Sequence, residues 1–358
     1  MSSNNLLIVG SPYSHANKRA FTQKFIRLLA TVSGEIVYVG ANSPDQTPEN
    51  VAIKHVEFEP SGSTLVSLNR FMMYQTKAAK LVEMGEYDSV IVRPQTFLLL
   101  ATYLRLRRKR FAVFAAQAQE SNVMQKFSRA TFRIADSLII ESTGTYDWHP
   151  PGIAHKCFDG RSYVDLNRFR PTESKSNRRF TVGYLGLLSE RKGVLQLLEA
   201  IELLNSNSNL EFEFQFGGSG DYEQAVSEVA QSRENVFFHG FVPDDDLADF
   251  YRELDVLILP SESEGLPNVV IEAMACGTPP LTTRVGGIPQ LVEDGTNGFI
   301  LPNREPETIA SELSDINQNN EIESISRAAS STVHSEYSRE KAVERYRNIV
   351  QSLCGTRS

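Results

Sequence analysis

Two glutamates, Glu264 and Glu272, bracket the apolar run Gly-Leu-Pro-Asn-Val-Val-Ile within "PSESEGLPNVVIEAMACGTPPLTTRVGGIPQLVEDGTNGF" (260–299). A buried carboxylate is costly unless hydrogen-bond donors complete it, so these two are either exposed or completed by a ligand. The preceding "DVLILPS" (255–261) is apolar and ends in Pro-Ser, which puts Ser261 to Gly265 in a strand-to-helix loop. Asn268 is the expected N-cap of a helix over residues 269–276, with Gly277 as its C′ stop. That helix is apolar on nearly every face, the pattern of a buried helix. Its N-terminus, with glycine nearby, offers free N–H groups to an anion, and Glu272 sits about one turn inside. The arrangement suits phosphate contacts plus a carboxylate accepting from sugar hydroxyls, and a ribose diol would satisfy Glu272. The alternative is a Glu272 paired with a buried arginine or a backbone group.

The elements that must position these residues come in two series. In the first, the strand candidates "NLLIVG" (5–10), "EIVYVG" (35–40), "DSVIVR" (88–93), "FAVFAA" (111–116) and "DSLIIES" (136–142) alternate with helical stretches such as 18–32 and 69–85. The second has strands "FTVGYLG" (180–186), "LEFEFQFGG" (210–218), "VFFHGFV" (236–242) and "DVLILPS", with helices at 193–204 and 221–230, "DDDLADFYREL", and a last helix at 338–353. Such alternation predicts βα units on parallel sheets: an α/β protein of two Rossmann-like, doubly wound domains. The expected division is a first domain over 1–168, a linker over the polar, proline-containing 169–179, and a second domain over 180–337. The helix of 338–358 has the option of packing back on the first domain. Ligands of open α/β sheets bind at the carboxyl ends of the strands, so the cleft between halves is the expected site.

The chain of 358 residues is 41% hydrophobic and 22% charged, a soluble globular composition with room for two domains. No run of about 18 apolar residues occurs, so no segment is expected to span a bilayer. The apolar run near the start lacks a basic region before it and reads as a first strand rather than a signal peptide. Three cysteines (Cys157, Cys276, Cys354) lie far apart with no metal or disulfide spacing, which fits a reducing cytoplasm. Net charge is −8, but residues 1–170 carry 21 Lys and Arg against 14 Asp and Glu, and the remainder 15 against 30. The basic half could face an acidic acceptor or an anionic membrane, or each half simply carries charge for solubility.

The E-x7-E pair and its surroundings resemble the signature of glycosyltransferase family 4, the "group 1" retaining nucleotide-sugar transferases of the GT-B fold. Upstream, "GYLGLLSERKGVLQLLEAI", "FGGSGDYEQ", "FFHGFVPDDDLADFY" and "DVLILPS" resemble family segments in the usual order, and "YVDLNRFRP" (163–171) resembles its interdomain link. The similarity covers about residues 160–350; residues 1–160 share only the βα rhythm. The resemblance implies a hexosyl- or N-acetylhexosaminyltransferase that moves a sugar from a nucleotide-sugar donor to a glycan, glycolipid or small-molecule hydroxyl. Retention would run through front-face attack assisted by the donor's own phosphate. No metal and no other cofactor is expected, since the nucleotide-sugar is a substrate. In that scheme Lys192 and Arg191 hold the diphosphate, whose developing charge needs fixed cations and N–H donors. Glu264 contacts the transferred sugar and Glu272 the ribose. Backbone around Gly265, Leu266 and Asn268 meets phosphate, Gly240, Phe241 and Val242 line the base, and Gly186 completes the donor side. A pair of basic residues on a solvated helix start is the plain alternative for Arg191 and Lys192, but cations are disfavoured at a helix N-terminus.

The chain also departs from the family. Leu187 stands where members commonly have an arginine, a second phosphate ligand, so the diphosphate grip rests on Arg191 and Lys192. This favours the rival reading of a transferase-like protein that binds a nucleotide or glycan without chemistry. On the acceptor side, His15, Arg93, Gln117 and Gln119 are candidates by position only. "DDD" (244–246) contains a formal D-x-D of metal-dependent transferases but follows Pro243 and opens a helix, where aspartates suit the macrodipole; it reads as a cap. In "YLRLRRKRF" (103–111), five of the six residues from Arg105 to Arg110 are basic. This run reads either as a peripheral contact with an anionic membrane or as the basic end of a helix. An acidic chain with no recognition motif points away from nucleic acid.

Overall fold

The computed structural model of the protein describes every residue except 1–4, 12–15, 42–45, 57–63, 86, 94–96, 116–121, 142–151, 173–178, 207–210, 319–320 and 355–358. Contacts divide the chain into two units, one running to Tyr163 and resuming at Arg339, the other Val164–Ser338.

The first unit contains β1 (Leu6–Val9), α1 (Ala16–Val32), β2 (Ile36–Gly40), β3 (Val51–His55), α2 (Thr64–Met84), β4 (Ser89–Val92), α3 (Leu98–Leu106), β5 (Arg110–Ala115), α4 (Asn122–Ile134), β6 (Ser137–Ile140) and β7 (Cys157–Asp159). All pairings are parallel, in the order β3-β2-β1-β4-β5-β6-β7. Helices cover both faces, so the central strands are buried on two sides and read as continuous apolar runs such as "LLIV" and "SLII".

The second unit contains β8 (Phe180–Leu185), α5 (Val194–Asn205), β9 (Phe212–Gly217), α6 (Glu223–Ser232), β10 (Val236–Phe238), α7 (Leu247–Arg252), β11 (Val256–Leu259), α8 (Asn268–Ala275), β12 (Pro280–Thr283), β13 (Phe299–Leu301), α9 (Pro306–Asn317) and α10 (Ile322–Glu336). Its sheet is also parallel, in the order β10-β9-β8-β11-β12-β13. Both sheets therefore follow the doubly wound order 3-2-1-4-5-6, in which direction reverses beside the first strand. That switch point lies between β1 and β4 in one unit and between β8 and β11 in the other. The last helix, α11 (Arg339–Cys354), returns to the first unit, where Ala342, Tyr346, Ile349, Val350 and Leu353 share a core with Phe25, Ile26 and Leu29 of α1.

Three expectations need correction. The unit boundary falls at Val164, not after residue 168, because Val164 and Phe169 are buried in the second core; Phe169 lies 6.1 Å from Tyr251, ring centre to ring centre. The strand expected over 236–242 ends at Phe238, since Gly240 takes φ +63° and leaves the extended region. The N-cap of α8 is Pro267 rather than Asn268. Pro267, with its ring-fixed φ of −73°, delivers the chain into the helix, so Asn268 is already helical. The C′ stop at Gly277 stands: with φ +80°, its N–H bonds Met274 O and that of Thr278 bonds Ala273 O, a Schellman closure.

Candidate active site

In the second unit Lys192 and Glu264 lie on opposite sides of the switch point, after β8 and after β11. Lys192 ends a 3-10 turn (Glu190–Lys192), and Gly193 joins that turn to α5 with φ +74°. A Cβ at Gly193 would stand 2.3 Å from Pro260 O, so only glycine brings the turn this close to the end of β11. The turn is then stitched to the next loop: Glu262 N–H bonds Arg191 O at 2.8 Å, and Arg191 Nη2 donates to Ser263 Oγ at 3.0 Å.

The central contact is Lys192 Nζ to Glu264 Oε1, 2.6 Å, with Ser261 Oγ donating to the same oxygen at 2.6 Å. The Glu264 side chain is 8% exposed and that of Lys192 25%. A carboxylate this buried needs its cation, and the cation needs the carboxylate at a helix start that disfavours positive charge. Gly286 backs the loop: at φ +56° its Cβ would overlap Glu264 O at 1.8 Å, and Gly287 N–H bonds Gly265 O at 2.6 Å. Burial raises the Tyr184 hydroxyl above its ordinary pKa, and the Glu264 charge adds to the rise; that hydroxyl donates to Leu187 O at 2.7 Å.

The first turn of α8 carries no side-chain cap; the N–H groups of Val270 and Ile271 bond Pro267 O, so those of Asn268 and Val269 are the ones an anion at the positive end of the dipole would meet. One turn in, Glu272 accepts at Oε2 from the Tyr251 hydroxyl at 3.0 Å. This partner is neither the arginine nor the backbone group that the sequence reading weighed. Tyr251 is fully buried, and its hydroxyl is raised well above its usual pKa by burial first and then by Glu272, so it is a permanent donor. Glu272 is half-buried, in the helix that directly follows the loop carrying Glu264.

Gly186 follows β8 directly, and Gly240, Phe241 and Val242 follow β10, where Gly218 N–H bonds Gly240 O at 2.7 Å. The Phe241 ring is 77% exposed, an open aromatic face at the strand ends. In the second unit Gly186, Arg191, Lys192, Gly240–Val242 and Glu264–Leu266 thus lie in the segments that follow the carboxyl ends of β8, β10 and β11, and Asn268 and Glu272 in α8. Leu187 is 58% exposed and supplies no charge there. Asp244–Asp246 form a 3-10 turn, not a side-chain cap; Asp244 Oδ2 instead accepts from Arg168 Nη1 at 2.6 Å. Among the described residues, no group of three or more His, Cys, Asp and Glu is placed to hold a metal ion.

In the first unit Arg93 follows β4 at the switch point. Its guanidinium donates to Thr22 Oγ1 at 2.6 Å and lies 5.3 Å and 5.6 Å from the ring centres of Phe25 and Phe114. Glu141, which the sequence did not single out, follows β6; burial raises its carboxyl to about 7, against the opposing pull of Arg93. His15, Gln117 and Gln119 lie outside the described residues. The basic run closing α3 is largely spent inside its own unit. Arg105 pairs with Asp136 at 3.2 Å and Arg107 with Glu83 at 2.5 Å, while Lys109 and Arg110 donate to Tyr87 O and Ser352 O.

Sequence reasoning missed Tyr251, Ser261, Gly286 and Glu141. Only Gly286, in the "VGG" after β12, carried a signal, because paired glycines mark a close backbone approach.

Two Rossmann-ordered parallel units, the second with a cation and two carboxylates at its strand ends, define the GT-B class of α/β protein. Within that class, residues 166–332 match the family described as "Glycosyl transferases group 1". A D-inositol 3-phosphate glycosyltransferase from Streptomyces bingchenggensis is 32% identical over 170 residues, 42% of this chain and 37% of the relative. An uncharacterised glycosyltransferase from Methanocaldococcus jannaschii is 31% identical over 150 residues, 38% of each chain. The matches thus span well under half the length of these curated relatives. Two solved structures match nearly end to end: sucrose-phosphate synthase from Thermosynechococcus elongatus (TM-score 0.78, 16% identity, 98% and 99% covered) and Anabaena HepE in complex with UDP (0.77, 18%, 98% and 100%). At such identities the likeness is one of fold.

Proposed function

We propose that the protein transfers a hexosyl or N-acetylhexosaminyl group from a nucleotide-sugar to an acceptor hydroxyl, with retention and without a metal ion. The observation that carries the reading is the Lys192–Glu264 pair, 2.6 Å across the switch point and beside the uncapped start of α8. The group 1 family and a UDP-bound structural neighbour support it. In the reaction the bond from the anomeric carbon to the diphosphate oxygen breaks and a bond to the acceptor oxygen forms on the same face. The acceptor proton passes to the departing diphosphate. Lys192 Nζ has three donors, so it can keep Glu264 while meeting a phosphate oxygen. Arg191 and the first-turn N–H groups of α8 add to the same charge. Glu264 faces the sugar, Glu272 the ribose hydroxyls, and Gly240–Val242 the base. An acceptor, glycan or lipid-linked, belongs to the first unit, with Arg93 on its side.

The test is a calorimetric screen of UDP, GDP, ADP and their sugars, followed by donor hydrolysis with whichever binds. Binding with slow hydrolysis is expected, the behaviour of a transferase waiting for its acceptor. The second reading, a nucleotide- or glycan-binding protein without chemistry, is favoured by Leu187 and by the atypical first domain and opposed by Glu264, Glu272 and Lys192; binding with neither hydrolysis nor transfer under any acceptor supply would support it. Absence of binding to every nucleotide would overturn the first.

No helix among the described residues is long and apolar enough to cross a membrane. For the partner side we propose a reducing cytoplasm and peripheral contact with an anionic surface through Arg105–Arg110 and the exposed Leu106. Replacing Arg107, Arg108 and Arg110 by Ala should cut binding to vesicles rich in anionic lipid by about tenfold at low salt, at ~1 kcal/mol per basic residue less those already paired. No vesicle binding by the unmodified chain removes the contact.

A further inference from the structure

Arg168 lies in the turn that opens the second unit, where the N–H groups of Arg168 and Phe169 both bond Asp165 O. Arg252 of α7 fixes that turn by donating to the carbonyls of Arg168 (2.7 Å) and Arg170 (3.0 Å). The Arg168 guanidinium then does three things. Its Nη1 bonds Asp244 Oδ2 at 2.6 Å, immediately after the Gly240–Val242 loop. It lies 4.6 Å over the ring of Phe169, which in turn packs on Tyr251, the donor to Glu272. Its Nε and Nη2 are buried and make no hydrogen bond among the described residues.

Resting on the nucleotide reading above, we propose that Arg168 is a positioning residue for nucleoside selection. It clasps the base loop through Asp244 and braces the ribose carboxylate through Phe169 and Tyr251. Both halves of a nucleoside would then be read by groups that one side chain holds in register. Arg suits this task where Lys does not, since only a planar guanidinium stacks on the ring while bonding outward.

Calorimetry of UDP, GDP and ADP on the full chain tests the inference. Arg168→Ala should weaken the preferred nucleotide by about five- to tenfold and the other two by less, so that discrimination between bases narrows. Arg168→Lys should recover part of the affinity but not the discrimination. Asp244 is 80% exposed, so Asp244→Asn leaves the fold intact should Arg168→Ala not fold, and it should narrow discrimination in the same sense. Unchanged affinity for the preferred nucleotide, or an equal fall for all three, overturns the positioning role. If the unmodified chain binds none of the three, the functional reading itself is overturned and this inference goes with it.

Discussion

Lys192→Ala is expected to lower turnover by about 10²–10³-fold, the usual cost of deleting one preorganised charge donor from a transition state. Three features make the site sensitive. The ammonium is held 2.6 Å from Glu264, where Gly193 brings its turn against the end of β11. Leu187 supplies no charge on the β8 side, so the diphosphate has only Arg191 besides Lys192 there. Removing Lys192 also strands a carboxylate that is only 8% exposed, so Glu264 loses its orientation along with its partner. Arg233→Ala is the matched control: Arg233 pairs with Glu202 on the surface, and surface pairs contribute about 0–1 kcal/mol. Steady-state donor hydrolysis and transfer, with melting temperatures for both variants, separates the two cases. Equal and small losses for both would remove the phosphate role from Lys192.

Glu272→Gln should weaken nucleoside diphosphate binding by about tenfold while leaving the melting temperature nearly unchanged. The substitution keeps the shape and an acceptor oxygen, so the Tyr251 hydroxyl, 3.0 Å away, still has a partner. What changes is the charge. Hydrogen bonds to an ionised group contribute ~1.5–3 kcal/mol against ~1 kcal/mol for neutral pairs, and two ribose hydroxyls would each lose part of that difference. Calorimetry with the preferred nucleotide reads the effect directly. Tyr251→Phe provides the complementary variant: it removes the donor but not the carboxylate, and should cost stability more than affinity, because Glu272 is left half-buried with one donor fewer. Unchanged affinity in Glu272→Gln would place the ribose elsewhere.

The sequence made the central strands legible because a parallel sheet covered on both faces demands uninterrupted apolar runs. It hid β3, β7 and β13, which lie at or next to sheet edges and are short or polar: "VAIKH", "CFD", "FIL". It also hid β12, whose "PLTT" begins with a residue that usually breaks strands, tolerated here at the first position. Of the site, Glu264, Glu272 and the Arg191–Lys192 pair were legible, since charged residues stand out against apolar surroundings and beside glycine. Their partners were not. Tyr251 precedes Glu272 by 21 residues and Lys192 precedes Glu264 by 72, distances over which only the fold decides what meets. Arg168 was hidden for a related reason: it sits among polar residues that read as a linker, while the phenylalanine beside it is core.

Because α11 completes the first unit, the chain order of the protein is not its assembly order. The second unit is inserted between Tyr163 and Arg339, and all of its sheet has left the ribosome before Ala342, Tyr346 and Ile349 exist to cover Phe25 and Leu29. The usual progression, in which the N-terminal part folds first during synthesis, therefore cannot be completed here before the last helix is made. Until the last helix emerges, α1 alone covers that face of the first sheet. A stop codon near residue 338 would thus spare the unit it directly follows and disable the one made first.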